Sequence, residues 1–119
     1  MIEINMNTAR MKLTVKGHAT PEETEQYREI CSASGALAQA MVYAATRANE
    51  GAAVKELDYK PERGDLMVKI YPEDGYEKTV QEIFRLYGFG MELLAKSHPC
   101  SVEMIFDGAR IIPDKEGRK

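Results

Sequence analysis

The first seventeen residues constrain the fold most. Ile2, Ile4 and Met6 alternate with Glu3 and Asn5, and Met11, Leu13 and Val15 alternate with Lys12, Thr14 and Lys16. A repeat of two residues puts every apolar side chain of such a run on one face, the signature of a β-strand with one buried and one wet side. Two runs separated by Asn7-Thr8 predict a hairpin whose second strand ends at Gly17. A hairpin with one wet face must cover the other, so the rest of the chain has to supply a packing layer.

Two stretches supply it. Ser32 to Asn49 is rich in Ala, with Leu37, Met41, Ala44, Ala45 and Ala48 at helical spacing and Gly51 as a stop. A face of small residues lets a helix lie close to a sheet. Further on, Val80, Ile83, Phe84, Tyr87, Met91 and Leu94 predict a second amphipathic helix, with Asp74 or its neighbours as cap and Pro99 as terminator. Gly88 and Gly90 interrupt its stripe, either for close packing or for a break. Between the helices, Val54–Lys60 and Leu66–Tyr71 alternate around "PERGD", a second hairpin. Ser101 to Phe106 alternates as a fifth strand. The order ββαββαβ predicts an α+β two-layer sandwich, a small, mostly antiparallel sheet covered by two helices. Residues 1–112 form one domain and 113–119 a charged tail. The exposed edges of so small a sheet give a reason for a homodimer.

Composition narrows the function classes. The chain has 119 residues, 44% hydrophobic and 29% charged, with a formal net charge of −3. Nothing in that balance draws it to nucleic acid or to an anionic membrane. No apolar run has spanning length and no amino-terminal signal is present, so the expectation is a cytoplasmic protein. The two cysteines, without a secretory signal, read as free thiols.

The chemistry concentrates in "GHATPEETEQYREICSAS", Gly17 to Ser34, which holds one of two histidines and one of two cysteines. Thr20-Pro21-Glu22-Glu23 is a strong helix start, and taken literally one helix runs from Pro21 to about Asn49. Such a rod is roughly 40 Å long, against a diameter of about 35 Å for a spherical domain of this length. The two Ser and the Gly of "CSASG" are poor interior helix formers. We therefore favour a short turn or loop over Pro21–Tyr27 and a main helix starting near Cys31. In that arrangement a helix amino terminus lowers the thiol pKa, His18 takes its proton, and the N–H groups of Cys31 and Ser32 face a developing oxyanion. The plainer alternative for Cys31 is a small buried hydrophobe.

The Gly-His-Ala at a strand end, followed by "EICSAS" and "SASGALAQA" in this element order, resembles the ribosomal-processing cysteine protease family, Prp. The resemblance spans nearly the whole chain. It implies a small, dimeric α/β sandwich with Cys31 as nucleophile and His18 as base. It also implies a substrate: that family trims an amino-terminal extension from a ribosomal protein, and phage relatives process capsid or scaffold proteins. Gly17, Glu29, Ser32 and Ser34 are the supporting residues this points to. Some positions depart from the family pattern. Arg28 stands where the family has an acidic residue, leaving Glu29 as the nearest carboxylate. Gly35 stands where the family has a Ser, with Ser34 displaced by one. The connecting "TPEETEQY" has no Gly.

Other groupings are weaker. His98 and Cys100, with His18 and Cys31, lack the spacing of a zinc site, so no metal and no cofactor is expected. His98 suits a helix carboxy terminus. Cys100 is expected to face the core of the fifth strand, and it is the fallback nucleophile if Cys31 is buried. The acidic run Glu22, Glu23, Glu25 is either a solvated face or a selector of basic peptides. The reading is a cysteine endopeptidase, a hydrolase whose partner is a peptide or protein substrate. The alternative is a non-catalytic dimeric interaction module that binds a ribosomal or phage protein.

Overall fold

The computed structural model describes residues 1–17 and 25–112. The predicted order is present: β1 (Ile2–Asn7), β2 (Lys12–Gly17), α1 (Glu25–Arg47), β3 (Val54–Glu62), β4 (Asp65–Pro72), α2 (Glu77–Ser97) and β5 (Val102–Phe106). A two-residue β6 (Ala109–Arg110) follows, and a 3-10 turn (Ala48–Gly51) closes α1. The strands form one sheet in the order β3-β4-β2-β1-β5-β6. Every pairing is antiparallel except β1 with β5, which is parallel.

Sheet register follows the alternation. Ile4 pairs with Val15 and with Met104, and Leu13 pairs with Val68, so the apolar sets of four strands share one face. Both helices cover that face. Ile2, Ile4, Met6, Leu13, Val68, Ile70 and Met104 are buried there, with Ile30, Met41, Phe84 and Met91 above them. A fully buried side chain of this size contributes about 1.5–3 kcal/mol. A one-residue slip would turn each strand inside out, so the core itself locks the register.

Two local expectations are corrected. First, α1 is one continuous helix of 23 residues through "CSASG", with no loop before a helix start near Cys31. At 1.5 Å per residue it is about 34 Å long. That length fits within the principal extents of 44 × 33 × 20 Å. Ser34 is tolerated in mid-helix because its hydroxyl donates to the Cys31 carbonyl at 3.2 Å. Its small side chain, with Ala38 and Ala45, forms the buried seat of the helix on the sheet. Second, no side chain caps α2; Tyr76, not Asp74, occupies its N-cap position.

α2 is unbroken through Gly88 and Gly90, whose role is close packing. A Cβ on Gly88 would lie 2.5 Å from Cζ of Phe106, whose ring Phe89 meets edge-on at a centroid distance of 5.8 Å. A Cβ on Gly90 would come within 3.0 Å of Leu37 on α1. Gly35 of α1, by contrast, has nothing within 4 Å of its Cβ position.

The two helical glycines should thus respond oppositely to alanine. Gly35→Ala is expected to gain up to about 1 kcal/mol from helix propensity. Gly88→Ala should lose about 1–2 kcal/mol net, because overpacking outweighs the same gain. Urea unfolding midpoints at constant m-value read both.

Candidate functional site

Cys31 is the seventh residue of α1, partly buried, and faces the turn between β3 and β4. Two adjoining concavities meet at its side chain. A small cleft of about 20 Å³ is walled by Val15 and Gly17 of β2, Cys31 and Ser34 of α1, and Glu62, Gly64 and Leu66 of the second hairpin. A wider groove of about 370 Å³ continues outward past Arg28, Ser32, Gly35 and Pro61. Glu62, Arg63 and Leu66 line both. The thiol thus stands where a deep, largely apolar end opens into a charged, surface-accessible trough.

Two glycines make this convergence. The Gly17 N–H donates to the Gly64 carbonyl at 3.1 Å, tying the end of β2 to the hairpin turn. A Cβ on Gly64, whose φ is +84°, would lie 3.0 Å from the Gly17 carbonyl oxygen. A Cβ on Gly17 would lie 2.9 Å from Ile2 Cγ1 and 3.5 Å from the Tyr27 hydroxyl of α1. Strand end, turn and helix therefore meet at near-backbone distance, which any larger residue at 17 or 64 disturbs. Lys60 and Asp65 close the hairpin neck with an ion pair at 2.7 Å. That pair holds the Asp65 carboxyl below its ordinary range, first through the hydrogen bond and then through charge. Its support is present above the usual carboxylate pKa and fades as pH falls through the lowered one.

The sequence-derived site residues are distributed unevenly. Gly17, Cys31 and Ser34 share the small cleft, and Ser32 lines the outer groove. Glu29 is exposed and, by helix periodicity, lies on the side of α1 away from Cys31. Arg28 occupies the groove instead. His18 lies outside the described residues, as do Glu22 and Glu23. Because Cys31 is two turns into α1, its N–H and that of Ser32 are committed to the helix ladder. They are not the oxyanion donors the sequence reading assigned to them.

Cys100 is exposed in the turn before β5 and does not face the core. The reason is that β5 begins only at Val102, so the inward alternation of Val102, Met104 and Phe106 does not extend back to Cys100, which lies in a turn. His98 follows the last residue of α2, as expected, and its Nδ1 lies 2.9 Å from Nε2 of Gln26 near the amino end of α1. Among the described residues, no three His, Cys, Asp or Glu side chains are grouped to hold a metal ion. No helix among them is long and apolar enough to cross a membrane. The hairpin wall, Pro61 to Leu66, was not anticipated as part of the site. Its only sequence trace is Gly64 in a turn, which does not say what the turn touches.

No protein-family model matches the chain, and no curated protein matches its sequence. Solved structures do share its fold. The crystal structure of SMU.848 from Streptococcus mutans aligns with a TM-score of 0.67 at 20% identity, over 89% of this chain and 93% of that one. An essential ribosomal processing protease, Prp, from S. aureus in complex with a substrate peptide aligns with a TM-score of 0.65 at 12% identity, over 89% of this chain and 99% of that one. The same protease with a covalently linked product peptide gives 0.64 and 13% over the same shares. At these identities the likeness is one of fold.

The glycine contact generates a prediction. Gly64→Ala and Gly17→Ala should each destabilise the domain by about 1–3 kcal/mol, the first through its left-handed backbone and the second through Ile2. Both should also raise the alkylation rate of Cys31 by loosening the cleft, which mass spectrometry of iodoacetamide-treated protein measures.

Proposed function

We propose that this chain is a cysteine endopeptidase with a Prp-like fold, in which Cys31 is the nucleophile and His18 the base. The observation that carries the reading is the shared cleft: Gly17, which immediately precedes His18 in the chain, and Cys31 line the same small cavity. The fold shared with a ribosomal processing protease supports it. Cys31, about two turns into α1, stands beside the end of β2.

In the proposed reaction the Cys31 thiol gives its proton to His18, and Sγ attacks a peptide carbonyl carbon held in the groove. The C–N bond then breaks as His18 returns the proton to the leaving amine, leaving a thioester. Water attacks the thioester with His18 as base, and the acid product departs as the thiol is restored. The outer groove, with Arg28, Ser32 and Pro61, receives the peptide on one side of the scissile bond. Its substrate in this reading is the amino-terminal extension of a ribosomal protein or a phage structural protein.

A second reading rests on the interior position of Cys31. With its own N–H and that of Ser32 bound in the helix, the nucleophile lacks the donors a helix terminus would have given an oxyanion. The same groove would then bind a ribosomal or phage protein without cleaving it.

Iodoacetamide labelling against pH separates the two. Cys100 is exposed and would label, so the measurement uses a Cys100→Ser background. The protease reading expects Cys31 to alkylate faster than a free thiol at neutral pH, and His18→Ala to remove that advantage. It also expects Cys31→Ala to abolish cleavage of a peptide spanning a ribosomal-protein amino terminus. An ordinary thiol titration, indifferent to His18→Ala, together with unaltered peptide binding by Cys31→Ala, leaves the binding module.

A further inference from the structure

The wet face of the sheet balances its charges at one end and not at the other. At the Gly17 end Glu3 and Glu103 are neighbours on β1 and β5, but Lys16 of β2 flanks the first and Arg110 of β6 pairs with the second at 3.1 Å. Where β1 turns into β2, by contrast, Lys12 stands directly opposite Lys69 of β4. Arg10, in the turn itself, adds a third positive charge, and the Lys69 ammonium donates to its carbonyl oxygen. Desolvation first, then the charges of Arg10 and Lys12, lower the Lys69 pKa below the ordinary lysine value. Like charges set opposite one another across two strands destabilise a sheet. Native folds keep such breaches mainly where function requires them.

Carboxylates are not aimed at this corner. Asp58 of β3 is in register with Lys69, yet no ion pair joins them among the described residues. Asp107, just beyond β5, accepts the Thr8 N–H at 2.6 Å and acts on Arg85, on the helix side of the sheet.

A concavity of about 190 Å³ lies at the corner, between Asn5 and Asn7 of β1, Arg10 of the turn, and Lys12 and Thr14 of β2. No carboxylate lines it. Asn5 is paired with Thr14 and Asn7 with Lys12, so these four side chains rise from adjacent positions on one face. Asn7 Oδ1 accepts the Arg10 N–H at 3.0 Å, which uses the acceptor end of its amide and leaves the NH₂ end as a donor. The walls therefore offer guanidinium, ammonium, amide and hydroxyl donors, with the Lys69 ammonium across the strand from Lys12. This set of cations and neutral donors suits a doubly charged group with three free oxygens. A carboxylate, with one charge and two oxygens, would leave much of it unused.

We infer that this corner is a binding site for a phosphoryl dianion, as inorganic phosphate or a phosphate monoester, held by Arg10 and Lys12 with Asn5, Asn7 and Thr14 as donors. It lies at the opposite end of β2 from Gly17, and on the opposite face of the sheet from the helix that carries Cys31. The inference is therefore independent of the cysteine chemistry.

Amide chemical shifts of the isotope-labelled full chain, followed by NMR as phosphate replaces chloride at constant ionic strength, test it. Inorganic phosphate should give saturable shifts at Asn7, Arg10, Lys12 and Thr14, with a dissociation constant of about a millimolar or tighter. Phenyl phosphate, titrated beside it, identifies the source: an ester that binds at least as tightly points to a phosphorylated molecule, and a weaker one to the free ion. Lys12→Gln and Arg10→Gln should each weaken binding at least about fivefold, and Asn5→Asp, which puts a carboxylate into the site, at least about tenfold. Lys16→Gln, at the balanced end, should change it less than about twofold. All four changes face solvent, and the unaltered remaining amide signals verify that the fold is kept. Shifts that do not saturate overturn the inference. So does binding indifferent to both Lys12→Gln and Arg10→Gln.

Discussion

The seating of α1 on the sheet governs the rest of the molecule. Ser34, Ala38 and Ala45 present almost no side chain to the strands, so the helix axis comes close and can cross the sheet without interruption. That close approach carries Cys31 over the end of β2 and against the β3–β4 turn. Ile30 and Met41 fill the gaps between these small residues, and a larger side chain at Ser34, which lines the cleft beside Cys31, would lift this part of the helix and open the cleft. The chemistry of the site therefore rests on residues that have none.

Much of the architecture was legible because strand periodicity is a strict geometric rule. The hairpins, the fifth strand and the inward face of each followed from alternation alone, and the register between strands agrees with it. The extent of α1 was not legible, for an identifiable reason. "CSASG" is weak by local propensity, and a rod running from Pro21 to Asn49 is longer than a sphere of this length is wide. Tertiary burial of Ile30 and Ala38 on either side outweighs the propensity, and the domain is longer in one direction than a sphere. Contacts between distant segments left still less trace. Nothing in one sequence says that Gly17 meets Gly64, that Arg28 rather than Glu29 enters the groove, or that Cys100 turns outward.

The position of Cys31 within α1 changes how its reactivity must be understood. A helix terminus would have supplied both field and hydrogen-bond donors; two turns in, the field is weaker and the donors are committed. Any activation of the thiol must then come from groups across the cleft, from the strand end and the hairpin, rather than from its own helix. Neighbouring Arg28 places a positive charge in the same groove, where the resemblance to the protease family leads one to expect a negative one.

The parallel pairing of β1 with β5 has a bearing on how the chain reaches this state. β1 forms its first partner within a few residues, but its other side waits for a strand about a hundred residues away, with the Ile2 N–H donating to the Ser101 carbonyl and the Thr8 N–H to the Asp107 carboxylate. Closing that loop is an entropic cost borne before the contact is rewarded. The amino-terminal hairpin alone leaves one flank of β1 unpaired, and the sheet extends past it only once the carboxy-terminal strand has joined.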